Sequence, residues 1–232
     1  MTQPNPAILC ILLSVLAIAP AHAAGLISGS VTVESDDRVR GASFSDQRPD
    51  LHLNLAYDQE DGWYAGAGAA IGRFSGTDHY RATQVAAYTG YVHAGPLSWE
   101  GGVVATHLLN DAKADYAEAY AGVLGEQWNA RLYLSPRYLD RPVRTAYLDL
   151  SASHSLSERW RLFGHLGALH RLSGEAEGRG QQTRFDGEFG LGFAHRDVDV
   201  QLAWVTSSVG GPFSVAGYQH RDTLILSLTH FF

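Results

Sequence analysis

Cysteine and methionine are almost missing from this 232-residue chain: each occurs once, as Cys10 and Met1. Both lie in the first 23 residues, so the remainder can form no disulfide. Long apolar runs are missing too. The longest, Ala7 to Ala19, has 13 residues, too few for a helix to cross a bilayer, and nothing after it approaches the roughly 18 that a helical span needs. Basic clusters are also absent: 17 Lys and Arg stand against 24 Asp and Glu, a net charge of −7, which argues against a nucleic-acid partner. With 45% apolar residues and 11% aromatics, the chain is nonetheless not a disordered one.

The apolar run is followed by Pro20 and by Ala21-His22-Ala23, a small-x-small site before Ala24. This is the pattern of a cleaved signal peptide over residues 1–23, although MTQPNP carries no Lys or Arg. Cys10 sits inside the run rather than at its end, which argues against a lipoprotein anchor. Residues 24–232 are therefore expected to be exported as one domain.

What fills that domain is alternation of period two. Leu51-His52-Leu53-Asn54-Leu55-Ala56-Tyr57, Trp128 to Ser135 and Phe185 to Phe193 each alternate apolar with small or polar residues, the mark of strands with one apolar face. Twelve such segments are read, at about 26–36, 49–58, 62–72, 80–93, 97–108, 115–125, 127–135, 143–154, 159–171, 182–195, 197–207 and 221–232. Most match the roughly 9–11 residues that a tilted strand needs to cross a bilayer. Their connections alternate in length. Short ones fall near Glu60, Gly95, Glu126, Leu156 and Arg196, and longer polar ones at about 37–48, 73–79, 110–114, 136–142, 172–181 and 208–220. Short turns at one end and long loops at the other predict an all-β fold, an up-and-down antiparallel transmembrane barrel of twelve strands.

Three further features agree. All five prolines after residue 23 (Pro49, Pro96, Pro136, Pro142 and Pro212) fall at strand ends or in connections, where no ladder N–H is lost. Trp63, Trp99, Trp128 and Trp160 each follow a short turn on the apolar face, which predicts an aromatic belt at one interface. The last segment places Leu224, Leu226, Leu228, His230 and Phe232 on one face and stops on Phe232. An aromatic last residue resembles the C-terminal signature that the barrel-assembly machinery of bacterial outer membranes reads. Opposite the apolar faces fall Glu118, Arg131, Asp149, Arg161, His165, Arg184, Asp186 and Glu188. On a lipid face Arg costs roughly 2–4 kcal/mol at mid-depth, so these eight are expected to line the lumen.

The stretch Ser35-Asp36-Asp37-Arg38-Val39-Arg40-Gly41-Ala42-Ser43-Phe44-Ser45-Asp46-Gln47-Arg48-Pro49 resembles the first-loop signature S-D-Y-R-F-R-G-x-S-x-S-D-x-x-P of the TorF-type porin family, also called the Gcw_chp family. Gly62 to Gly66, Asp115 to Glu118 and Thr145 to Asp149 are similar to its later blocks, so the resemblance runs from about Gly29 to the C-terminus. It departs at Asp37, where the family has Tyr, and at Val39, where it has Phe. The resemblance implies an outer-membrane porin and says little about its solute.

Twelve strands lie between the eight that side chains fill and the sixteen or more that leave a wide channel. The reading is thus a narrow, passive pore for small hydrophilic solutes or ions in a bacterial outer membrane. Its rival is a non-conducting barrel, structural or surface-interacting, plugged by paired charges. Inner-face Gly66, Gly68, Ala70, Gly72, Gly190, Gly192 and Ala194 serve either to widen the pore or to allow close strand approach. Counting along the hairpins brings Arg131 near Asp149, Asp149 near His165 and His165 near Glu188. The long first and sixth loops could fold inward. A lipid-acting enzyme is the remaining alternative, with His107 and His170 facing lipid, but no Ser or Asn stands in a partner motif for either. There is no G-x-S-x-G, no H-E-x-x-H and no Cys pair, and Ile71 stands where a dinucleotide fingerprint starting at Gly66 needs glycine. No enzyme, cofactor or metal is expected.

Overall fold

Every segment with period-two alternation forms a strand. The computed structural model describes residues 25–45, 47–73, 81–109, 115–174, 182–208 and 222–232. The expected signal peptide lies outside these residues, as do Glu175, Glu177 and Arg179 of the fifth long connection and nearly all of the sixth. In chain order the strands are β1 (Gly25–Glu34), β2 (Arg38–Val39), β3 (Ala42–Ser43), β4 (Asp50–Gln59), β5 (Trp63–Arg73), β6 (Arg81–His93), β7 (Ser98–Leu108), β8 (Tyr116–Leu124), β9 (Trp128–Ser135), β10 (Arg144–Ser155), β11 (Trp160–Ser173), β12 (Thr183–His195), β13 (Val198–Ser207) and β14 (Thr223–Phe231). A single 3-10 turn, Tyr138–Asp140, lies between β9 and β10.

All except β2 and β3 join one closed antiparallel barrel, in the ring order β1-β4-β5-β6-β7-β8-β9-β10-β11-β12-β13-β14 and back to β1. These twelve match the twelve expected segments to within about two residues at each end, and the five short and six long connections alternate as anticipated. The seam pairs Val31 with His230 and Glu34 with Ser227, and Gly29 exchanges both backbone hydrogen bonds with Phe232. Closure leaves no free sheet edge, and in hydrocarbon each unpaired backbone group would cost several kcal/mol.

The pleat sorts the side chains. Leu51, Leu53 and Leu55 on β4, Phe185 and Phe189 on β12 and Leu224, Leu226 and Leu228 on β14 all point outward and are exposed, forming a continuous apolar surface. Trp63, Trp99, Trp128 and Trp160 are exposed at the short-turn end, with Trp63 edge-on to Tyr91 at 5.3 Å and His93 stacked on Trp99 at 5.4 Å. That is the belt expected from their positions.

The inward glycines answer the question that the sequence left open. Five of them stand opposite a large side chain that folds over them: Gly66 faces Tyr88, Gly90 faces Tyr64, Gly102 faces Tyr120, Gly190 faces Phe163 and Gly192 faces Arg161. A Cβ at Gly102 would come within 2.6 Å of the Tyr120 ring, and one at Gly192 within 2.8 Å of the Arg161 guanidinium. These glycines admit their neighbours' side chains and do not widen the lumen.

Candidate functional site

The lumen is not empty, because the first long connection folds into it. Residues read from sequence as loop form a small hairpin in which Arg38 pairs with Ser43 and Val39 with Ala42, leaving Arg40-Gly41 as a two-residue turn. Both turn residues have positive φ, 51° for Arg40 and 74° for Gly41, as a type I′ turn requires. For arginine this conformation is unfavourable and persists only where contacts over-determine it. Asp36 supplies several at the hairpin base. One of its oxygens accepts from Arg38 Nε at 2.7 Å, and the other accepts from Ser43 Oγ at 2.5 Å, Ser45 Oγ at 3.3 Å and the Gln47 N–H at 3.1 Å. The Asp37 N–H donates to Ser45 Oγ at 2.9 Å, and the Phe44 N–H to the Asp37 carbonyl at 2.7 Å. The stretch that carries the family resemblance is therefore this stapled hairpin.

Its tip crosses the barrel. The hairpin leaves the wall between β1 and β4, and the far side of the ring from there is β9 and β10. Arg40 reaches that side: Nη2 donates to Glu118 Oε2 of β8 at 2.5 Å, and the guanidinium carbon lies 4.2 Å from the Tyr147 ring centre, 5.3 Å from Tyr138, 5.7 Å from Tyr133 and 6.0 Å from Tyr116. The side chain is only 11% exposed. Burial alone disfavours its charge, but Tyr138, Glu118 and Tyr116 outweigh that and hold the guanidinium protonated more firmly than in water. Gly41 wedges against β12 and β13, where a Cβ would stand 2.7 Å from the Cβ atoms of Asp186 and Ser207. Any larger residue at the tip would push the hairpin off that wall.

Behind Arg40 the polar network continues along the wall. The Tyr147 hydroxyl donates to Asp186 Oδ1 at 3.0 Å, and His165 lies 2.9 Å from Asp186 and 3.5 Å from Asp149. Nearer the short-turn end a second tier joins Arg131 Nε to Glu100 Oε1 at 2.5 Å, with the Tyr64 hydroxyl 2.9 Å from the same carboxylate, and pairs Arg161 with Asp199.

All eight residues expected in the lumen fall on the inward face. Glu118, Asp149, His165, Asp186 and Glu188 border a cavity of about 520 Å³ beside the hairpin, whereas Arg131, Arg161 and Arg184 do not. His165 stands directly opposite Glu188, and Arg131 directly opposite Asp149, but the Arg131 guanidinium turns to Glu100 on a strand two further along. Arg184 Nε is buried without a hydrogen-bond partner. Arg40, Glu100 and Asp199 were missed by the sequence reading. His107 and His170 lie on the outward side of the pleat, but His107 is buried, with its Nδ1 2.7 Å from the buried Asp115, and His170 is half-buried, with its Nδ1 2.8 Å from Thr183 Oγ1.

The electrostatics of the cavity are lopsided. Its lining carries six carboxylates, from Glu34, Asp36, Glu118, Asp149, Asp186 and Glu188, against Arg38, Arg40 and His165. At the hairpin base burial raises the Asp37 carboxyl to about 7; His52 opposes the shift, while Glu34, Asp50 and Asp36 add to it.

The sequence matches a family model described as "Bacterial protein of unknown function (Gcw_chp)" over residues 19–227. A search of curated protein sequences finds no match. Among solved structures the chain is similar to the NanC porin at 9% identity and TM-score 0.59, covering 89% of this chain and 100% of that one. It is similar to the KdgM porin at 9% identity and TM-score 0.56, covering 88% and 99%; that porin has also been solved in complex with disordered oligogalacturonate. A third likeness is to the COG4313 outer membrane channel from Pseudomonas putida F1, at 14% identity and TM-score 0.52, covering 92% and 98%. At these identities the likeness is one of fold.

Proposed function

The chain belongs to the Gcw_chp family of bacterial proteins, and from that premise and its lumen we propose that it is a porin of the bacterial outer membrane, conducting small hydrophilic solutes or ions passively with a preference for cations. The observation that carries this reading is the acid-rich cavity of about 520 Å³ inside a closed twelve-stranded barrel. Fixed charges facing a narrow aqueous space select by sign, and no covalent step is required of any residue. Oligogalacturonate is a polyanion, so the ligand seen with the KdgM porin is a poor match to this lining. Glu118, Asp149, His165, Asp186 and Glu188 act directly on the permeating species, while Arg131, Arg161 and Arg184 set the field from their ion pairs and burial.

Planar-bilayer recording tests the reading. A conducting barrel gives current steps of reproducible size, and in a potassium chloride gradient the reversal potential takes the sign of a cation-selective pore. A folded barrel that stays silent supports the non-conducting, plugged alternative, and an anion-selective reversal potential refutes the role given to the carboxylates.

A further inference from the structure

At the outer end of the lumen, where β1 leaves the wall for the hairpin and β4 rejoins it, three side chains converge. Glu34 ends β1, Asp37 opens the hairpin and His52 lies two residues into β4. His52 Nε2 is 2.7 Å from Glu34 Oε1 and 3.9 Å from Asp37 Oδ2, and one donor atom from each residue lies within 4.8 Å of the other two. A tetrahedral ion with arms of about 2.0–2.1 Å needs donors about 3.3 Å apart. The two distances to His52 bracket that value, so small side-chain rotations bring all three onto one ion.

Carboxylates often cluster on surfaces without an ion, but here the neighbouring groups are buried and unsatisfied. Asp50 stands directly opposite Glu34 on the same inner wall and is 2% exposed. Its Oδ1 accepts the N–H of the next residue, Leu51, while Oδ2 has no hydrogen-bond partner among the described residues. His52 Nε2 is buried as well and lies against Glu34. Asp37 is 6% exposed. The contrast with Asp36 is instructive: one residue earlier, that carboxylate receives Arg38, two serines and a backbone N–H. Buried carboxylates and an imidazole with spare lone pairs at this spacing are a donor set for a divalent first-row metal, whereas imidazole is a poor ligand for calcium or magnesium.

We propose that Glu34, Asp37 and His52 bind one divalent ion of the zinc class at the mouth of the barrel. The assignment does not depend on whether the pore conducts. Because Asp37 belongs to the hairpin and the other two to the wall, the ion ties the base of the hairpin to β1 and β4.

Calorimetric titration of Zn²⁺ into the tag-free chain, refolded in detergent micelles and shown to be folded by its heat-dependent shift on gels, tests this. The wild type is expected to take up one ion per barrel at micromolar concentrations. Glu34→Gln and His52→Gln each weaken binding at least tenfold, and His107→Gln, on the outward face, leaves it unchanged. Should a wall variant fail to fold, Asp37→Asn gives the same readout from outside the barrel ladder. No uptake by the folded wild type, undiminished uptake by the folded variants, or equal displacement by Ca²⁺ overturns the assignment. Zinc uptake by a barrel silent in bilayers overturns the pore and leaves the metal site standing.

Discussion

Replacing Arg40 with alanine removes the tether at the tip of the hairpin and nothing from the barrel ladder, since residues 38–43 pair only with each other. Breaking a buried ion pair by deleting one partner typically costs about 3–5 kcal/mol, because the other charge is left buried alone; here that charge is Glu118, whose side chain is 3% exposed. Loss of the stack on Tyr147, at 4.2 Å, adds up to about 2 kcal/mol. Taking the ion pair alone, at about 1.4 kcal/mol per factor of ten, the docking constant falls by roughly 150-fold at the lower figure and roughly 5,000-fold at the upper. A hairpin docked at about 1000:1 would then stand near 6:1 or near 1:5. In bilayers the Arg40→Ala barrel is expected to show a larger conductance level, interleaved with the wild-type level or replacing it, and trypsin should cut at Arg38 far faster. Arg40→Ala with Glu118→Gln, which removes the stranded charge, should recover part of the docking. If the folded Arg40→Ala barrel keeps the wild-type current histogram and its resistance to trypsin, the hairpin does not narrow the pore.

Acidity should act on the same device. Asp37 holds its proton up to about pH 7 when docked and only to about pH 4 when exposed. Between those values the docked form carries the extra proton, so docking strengthens as pH falls: the penalty is full above 7 and gone below about 4. Glu34 of β1, Asp50 and His52 of β4 and Asp36 of the hairpin face it. With chelator present, wild-type conductance should be lower at pH 5 than at pH 8 and the Asp37→Asn dependence flatter; parallel pH profiles count against the role of this carboxyl. Gly190→Val drives a branched side chain into the Phe163 ring and to within 2.8 Å of the Leu202 carbonyl, which should cost about 1–3 kcal/mol. Gly187→Ala, with nothing nearer than 3.5 Å, should cost far less, and comparing the temperatures at which the two barrels unfold on gels decides the matter. Arg131→Glu reverses a charge beside Glu100 and should move the reversal potential further toward cations; no movement would mean that permeating ions do not feel this tier.

The barrel was legible because alternation is dictated by a wall with lipid on one side and polar groups on the other, and a one-residue error would invert every face. Trp128-Asn129-Ala130-Arg131 reads directly into an outward tryptophan and an inward arginine. The hairpin was not legible as strands, since Arg38-Val39 and Ala42-Ser43 are too short to show a period, although Arg40-Gly41 has the composition of a tight turn. Glu100 was hidden by Gly101-Gly102, which blur the alternation on which the inner-face assignment rested. The partner of Arg131 depended on reach rather than register: the residue opposite is Asp149, but the long side chain finds Glu100 two strands away. The mouth cluster draws its donors from two wall strands and a loop, so no spacing along the chain announces it.

A ring of hydrogen-bonded strands fixes its own circumference but not its cross-section, which can flatten toward an oval at little cost to the ladder. The segment lodged between β1/β4 and β8–β10 acts as a crossbar. Lengthening or shortening that segment is then expected to change the width of the lumen without changing the number of staves.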